Sequence, residues 1–213
     1  MNKFILATAF AIAGGAASAA TISANFDLRA GGNSTNQGSL DYSVGDVSLS
    51  VTGIVCDDGS GPNASNCRSG MIDRSSVSGI YFNQPNDSDH EVDGQYSNEF
   101  LKLSFSPDVT LDRVKFSYWD SNDEARLYTL NGSIWNDEGA IVTGSSHYYE
   151  YDFVGTYTGS MFLLGAVGEN DEWKLKGVTV DYTTPVPLPA AAWLLIASIG
   201  GLAAAGRGKK KSA

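Results

Sequence analysis

Apolar and polar residues alternate in short bursts through the middle of this chain. Ile22, Ala24, Phe26 and Leu28 stand at every second position, as do Val47, Leu49 and Val51, and Leu101, Leu103 and Phe105. Val114, Phe116 and Tyr118 repeat the spacing. A period of two sends successive side chains to opposite faces, so each set predicts one buried face of a half-buried strand. Ile80 to Phe82, Ala125 to Leu130, Tyr148 to Val154, Met161 to Ala166 and Trp173 to Tyr182 are further strand candidates. In the last of these, Leu175 is followed by Val178, Val180 and Tyr182, and the slip of phase at Lys176-Gly177 predicts a β-bulge. Asn131-Gly132 predicts a tight hairpin between Leu130 and Ser133-Ile134-Trp135. No part of this region sustains a helical period. Short strands between turns of Gly, Ser, Asn and Asp predict an all-β fold, a single β-sandwich of about eight strands or more.

The two ends break the pattern. Met1-Asn2-Lys3 gives a positive start, Phe4 to Ala13 an apolar core, and Ala17-Ser18-Ala19 a small-x-small cleavage site. Residues 1–19 therefore read as a secretory signal peptide. At the other end, Pro185-Val186-Pro187-Leu188-Pro189 leads into Ala190 to Ala205, sixteen residues without a charge, and then into Arg207, Lys209, Lys210 and Lys211. A helix over the apolar stretch would be about 24 Å long. That falls short of a hydrocarbon core of about 30 Å, a gap that Leu188 and snorkelling lysines can narrow. The basic end should stay cytoplasmic, which places the preceding residues across the membrane.

Proline motif, apolar helix and basic end together resemble the PEP-CTERM type of bacterial sorting signal. The variant is Val-Pro-Leu-Pro-Ala, read here as Val186, Pro187, Leu188, Pro189 and Ala190. The resemblance implies an exported protein, held as a precursor in the inner membrane by its C-terminal transmembrane helix. It also implies processing by an exosortase-type enzyme and a final place at the cell surface or outside the cell. Asn98 to Phe105, Val109 to Val114, Tyr118-Trp119-Asp120 and Trp173 to Val180 are similar to the bodies of such proteins. That similarity implies a jelly-roll-like sandwich of the galactose-binding-like kind. The expected organisation is residues 1–19 signal peptide, 20–184 sandwich domain and 185–213 sorting signal.

Charge narrows the partners. The chain has 14 Lys+Arg against 24 Asp+Glu, a net charge of −10. Lys3, Arg207, Lys209, Lys210 and Lys211 lie in the two end segments, which hold no acid. Without them 9 cations face 24 acids, a net charge of −15. Such a body repels nucleic acid and attracts cations, so no nucleic-acid partner is expected. Cys56 and Cys67 are the only cysteines, with the turn-rich Asp57 to Pro62 between them. In an exported protein this spacing predicts a disulfide, closing a loop worth about 3 kcal/mol on the chain-entropy estimate.

Catalytic patterns are scarce. His90 and His147 are far apart in polar surroundings, and neither is assigned a catalytic role. No nucleophile elbow, phosphate loop or dinucleotide fingerprint is present. The acid-rich runs Asn86 to Gly94 and Asp120 to Glu124 can supply oxygen ligands, which makes Asp87, Asp89, Asp93, Asp120 and Asp123 candidates for structural calcium. The EF-hand offsets are not met; turns between strands favour the same residues. No other cofactor is indicated. Tyr149 and Tyr151 share a strand face opposite Tyr148, and with Trp119 they are candidates for stacking on sugar rings. The expected function is a non-catalytic protein of the cell surface or biofilm matrix with weak contact to extracellular polysaccharide. The alternative is a small secreted glycan-active hydrolase using paired carboxylates.

Overall fold

The computed structural model describes residues 19–83, 90–142, 146–184 and 198–199. Two units are distinguished, Thr21–Thr183 and a second made of Met1–Ala20 with Thr184–Ala213. The signal peptide and the sorting motif fall in the second unit, outside the described residues apart from Ala19. Among the described residues no helix is long and apolar enough to cross a membrane.

The first unit is all-β. Its strands are β1 (Ala20–Asp27), β2 (Ser34–Gln37), β3 (Leu40–Val44), β4 (Val47–Asp57), β5 (Arg68–Gly70), β6 (Ile72–Ser75) and β7 (Gly79–Phe82). There follow β8 (Val92–Asp93), β9 (Ser97–Ser117), β10 (Ala125–Asn131), β11 (Ile134–Ile141), β12 (Tyr148–Ala166) and β13 (Glu172–Thr184).

Two long strands carry the architecture. The first half of β9 pairs β4 from Ser97 to Ser106, whereas its second half pairs β13 from Thr110 to Ser117. The change of partner falls at Pro107, a residue with no N–H to offer a ladder. β12 runs antiparallel to β9 through both halves, with breaks of register between Asp152 and Tyr157 and between Gly159 and Met161. Each long strand thus belongs to two layers, the way a sandwich turns its corners. One layer is β3, β4, the first half of β9, the second half of β12, β10 and β11, with β5 on β4. The other is the first half of β12, the second half of β9, β13, β7, β6 and β2, with β1 and β8 also on β13.

The core fills the space between them. Val51, Leu103, Phe162 and Leu164 come from the first layer, and Val114, Phe116, Val178 and Val180 from the second. Phe105 bridges the layers, lying 5.9 Å from Phe26 and 6.0 Å from Phe162 in edge-to-face contacts. A smaller apolar cluster, Cys56, Phe100, Tyr128 and Leu163, sits beneath the Cys56–Cys67 disulfide. Asn63 pins that loop to β11, its amide donating to the Trp135 carbonyl at 2.7 Å and its oxygen accepting from the Trp135 amide at 2.8 Å.

The bulge expected at Lys176-Gly177 is present: pairing passes from Leu175↔Phe116 directly to Gly177↔Lys115. The hairpin after β10 is present too, displaced by one residue, because Asn131 pairs Ile134 and the left-handed position is Gly132 at φ 66°. Two expected pairs of strands are each one strand, β9 and β12. Tyr118 was expected to follow Val114 and Phe116 into the core; it does not. Its φ of 63° ends the alternation, so Tyr118 turns outward and Trp119 takes the buried place.

Candidate functional site

The outer face of the second layer collects rings and cations. The bulge lets Lys174 and Lys176 both point away from the core while Leu175 and Val178 point into it. Gly177 fits closely there, since a Cβ would lie 3.0 Å from the Phe26 carbonyl oxygen. On the same face β9 presents Arg113 and Lys115, β12 presents Tyr148, Glu150 and Asp152, and β7 presents Tyr81.

These side chains form a row. The Lys174 ammonium lies 4.6 Å from the centre of the Tyr81 ring and 4.1 Å from that of Tyr118. His90 meets Tyr81 edge-on, their ring centres 6.2 Å apart. Beyond Tyr118 the row continues through His147 at 4.7 Å and Tyr148 at a further 4.9 Å. It reaches the Lys176 ammonium, 4.0 Å from the Tyr148 ring centre. Such contacts are worth about 0.5–1 kcal/mol each when exposed and more when dry. His90 and Tyr118 both hold left-handed backbone, at φ 56° and 63°. Uncommon φ values for bulky residues cluster where a site over-determines the chain.

The members differ in exposure. Tyr118 and Tyr148 are 45% and 51% exposed. The Lys174 side chain is only 9% exposed, with Glu91 3.8 Å away. Burial pushes its ammonium below the usual lysine range, and Glu91 pulls the other way. Next to Tyr148 the row opens into a shallow cleft of about 210 Å³, lined by Asn25, Asp27, Arg29, Lys115, Glu150 and Lys176 among others.

Ion pairs order the cleft. Arg29 donates from Nε and Nη2 to the two Asp27 oxygens at 2.7 and 2.8 Å. That fork holds the Asp27 carboxyl below its ordinary value and raises the Arg29 guanidinium. Lys115 meets Glu150 at 3.2 Å, and Arg113 pairs Asp152, each pair directly opposite across the β9–β12 ladder. Among the described residues Lys176 has no carboxylate within 4 Å; its neighbour is the Tyr148 ring. This face offers aromatic surface, fixed donors and fixed acceptors in one groove.

The three rings chosen from sequence lie elsewhere. Trp119 is 1% exposed, stacked on Tyr149 at 4.9 Å and tilted against Phe116 at 4.7 Å, so it has no free face to offer a ligand. Tyr149 and Tyr151 are half-buried and lean on the core, Tyr151 edge-on to Phe153 at 5.2 Å. The outward ring of that strand is Tyr148. Sequence reasoning put Tyr148 on the opposite face correctly, but nothing in the alternation said which face was the core. The two histidines belong to the row as well, and no spacing in the sequence joins residues 90 and 147.

The calcium candidates Asp87 and Asp89 lie outside the described residues. Asp93 accepts from the Gln95 amide at 2.9 Å and Asp120 from the Asn122 amide at 2.7 Å. Asp123 is buried and accepts amides on both oxygens, from Asp120 at 2.5 Å and Glu172 at 2.9 Å. Burial raises its carboxyl to about 6 despite those bonds. Asp171 accepts from Gly168 and Glu124 at 2.7 and 2.9 Å and is likewise raised by burial. These carboxylates tie loops to strands. Among the described residues no three His, Cys, Asp or Glu side chains are grouped to hold a metal ion.

No protein-family model and no curated protein sequence matches the chain. Among solved structures, a family 32 carbohydrate-binding module from Streptococcus pneumoniae EndoD is similar over 41% of this chain and 70% of that one. Its identity is 12% and its TM-score 0.29. A second, the GH31 CBM32-2 module bound to GalNAc, is similar over 79% of this chain and all of that one, with 10% identity and a TM-score of 0.31.

Proposed function

We propose that this chain is an exported, non-catalytic protein of the cell surface or extracellular matrix that contacts glycan through the outer face of its second layer. Its export rests on the signal-peptide pattern of residues 1–19. Its sorting rests on Val186 to Ala190 with the apolar and basic segments after them, as the substrate of an exosortase-type enzyme. The body would be a jelly-roll-like sandwich between the two.

The observation that carries the glycan reading is the row from Tyr81 to Lys176 beside the Arg29–Lys115 cleft. A pyranose has an apolar C–H face and a rim of hydroxyls. Half-exposed tyrosines suit the first, and ion-paired side chains held in place suit the second. A non-catalytic role fits the carboxylates. Proton transfer needs a carboxyl with a suitably shifted pKa that can reach substrate. Asp123 and Asp171, whose carboxyls burial raises, have their oxygens occupied by backbone amides.

The test is a panel of soluble polysaccharides, in retention and in hydrolysis assays, with the purified exported protein. Retention of at least one polymer without release of reducing ends is the expected result. Hydrolysis abolished by a single Asp or Glu substitution would replace this reading with the hydrolase.

A further inference from the structure

The cations of this protein are unevenly placed. Residues 20–184 hold 9 Lys and Arg against 24 acids. Five of those nine, Arg29, Arg113, Lys115, Lys174 and Lys176, lie on the single face just described. Four of the five have a carboxylate partner: Asp27, Asp152, Glu150 and Glu91 respectively for Arg29, Arg113, Lys115 and Lys174. Lys176 is left with the ring of Tyr148. The five cations thus share four close carboxylates, with Asp27 also feeling the charge of Lys176, on a body that carries −15. A polyanion meets less repulsion at this face than the net charge of the body implies.

Lys176 also covers the aromatic surface that a sugar would use. Its ammonium sits 4.0 Å above the Tyr148 ring. A neutral sugar stacking there must displace the ammonium and offers it only neutral hydroxyl acceptors in exchange. A sugar carboxylate draws the ammonium off the ring into a charge-assisted hydrogen bond, and the freed ring face takes the pyranose. The neighbouring pairs Lys115–Glu150 and Arg113–Asp152 involve side chains that are 28–69% exposed, so a ligand carboxylate can exchange with them at little cost. The row's length suits successive residues of a polymer better than one sugar.

We propose that this face selects acidic polysaccharide, in particular polymers of uronic acids, with Lys176 as the selecting residue and Tyr148 as its platform. This rests on the glycan-contact reading above. The test uses alginate, a uronic-acid polymer, and the same alginate with its carboxyls reduced to alcohols, against the folded exported protein. Wild type should be retained by alginate, more weakly as salt rises, and little by the reduced polymer. Lys176→Gln should weaken alginate binding about tenfold, the loss expected of one charged hydrogen bond, and leave the reduced polymer's binding equal or stronger. Lys102→Gln, on the first half of β9, should leave both unchanged. Unaltered circular dichroism and melting would show that each variant is folded.

Equal retention by both polymers would overturn the acidic preference and leave the glycan reading standing. Equal losses from Lys102→Gln and Lys176→Gln would also overturn it, since diffuse charge would then explain the binding. Retention by neither polymer, nor by any other member of the panel, would remove both.

Discussion

At Gly79 the backbone takes φ +107°, and a Cβ there would sit 2.2 Å from the Leu175 carbonyl oxygen. Gly79→Ala therefore meets both a disfavoured dihedral and a backbone clash, where β7 is pressed against β13. A loss of about 2 kcal/mol or more is expected by denaturant unfolding. Asp123 makes a subtler case. Its carboxyl titrates at about 6 in the folded protein, against an ordinary value of 3.8. The folded state holds this proton more tightly, so the stability it adds is fully present below about 3.8 and is lost as pH rises through about 6. Asp123→Asn keeps the shape and removes the titration. It forfeits one acceptor for a backbone amide, so it should be the less stable protein in acid, by a margin that shrinks between pH 4 and pH 7. Melting curves across that range decide the matter, and a constant margin would show that Asp123 does not titrate there. Neither residue could be read from sequence. Gly79 is one of 24 glycines, and Asp123 sits in an acidic run that reads as calcium ligands or as a turn between strands, not as a buried loop brace.

Local pattern served well where one element decides its own geometry. The phase slip after Leu175 located the bulge because core residues must stay on one face whatever the ladder does. The spacing of Cys56 and Cys67 located the disulfide, which closes a loop anchored to Trp135 by Asn63. Replacing both cysteines with serine should cost about 3 kcal/mol on the loop-closure estimate. Because Asn63 is held by that loop, the Trp135 amide should also lose protection from hydrogen exchange; full protection in the double variant would show that the loop docks without its crosslink. Pattern failed where two layers meet. β9 and β12 each correspond to two separate strand candidates, Leu101 to Phe105 with Val114 to Tyr118, and Tyr148 to Val154 with Met161 to Ala166. The gaps between them are corners within continuous strands, and only the partner strands on either side of each corner make it one. The contact face was illegible for the same reason. Tyr81, Tyr118, Tyr148 and Lys176 come from four separate stretches and meet only through β7, β9, β12 and β13 lying side by side.

At the scale of the whole molecule, the strand unit has its own core. The buried cluster draws its residues from Ala24 through Tyr182, and β13 completes the second layer by pairing β9 up to Asp181↔Thr110. The proline motif begins only at Pro185. The buried cluster is complete by Tyr182, so a chain ending at Thr184 and carrying the signal peptide should be exported and should melt within a few degrees of the mature protein. What the truncation should abolish is sorting. Under the proposed exosortase processing, mature protein from normal cells lacks the Lys211-Ser212-Ala213 end, whereas cells without the sorting enzyme retain it in the membrane fraction. Mass spectrometry of the C-terminal peptide reads this directly. Removing the tail also strips four of the five cations outside the body, which moves the protein's isoelectric point further into the acid range. An intact tail in mature material from normal cells would mean a permanent anchor, and the glycan-contact face would then work at the membrane surface rather than in the matrix.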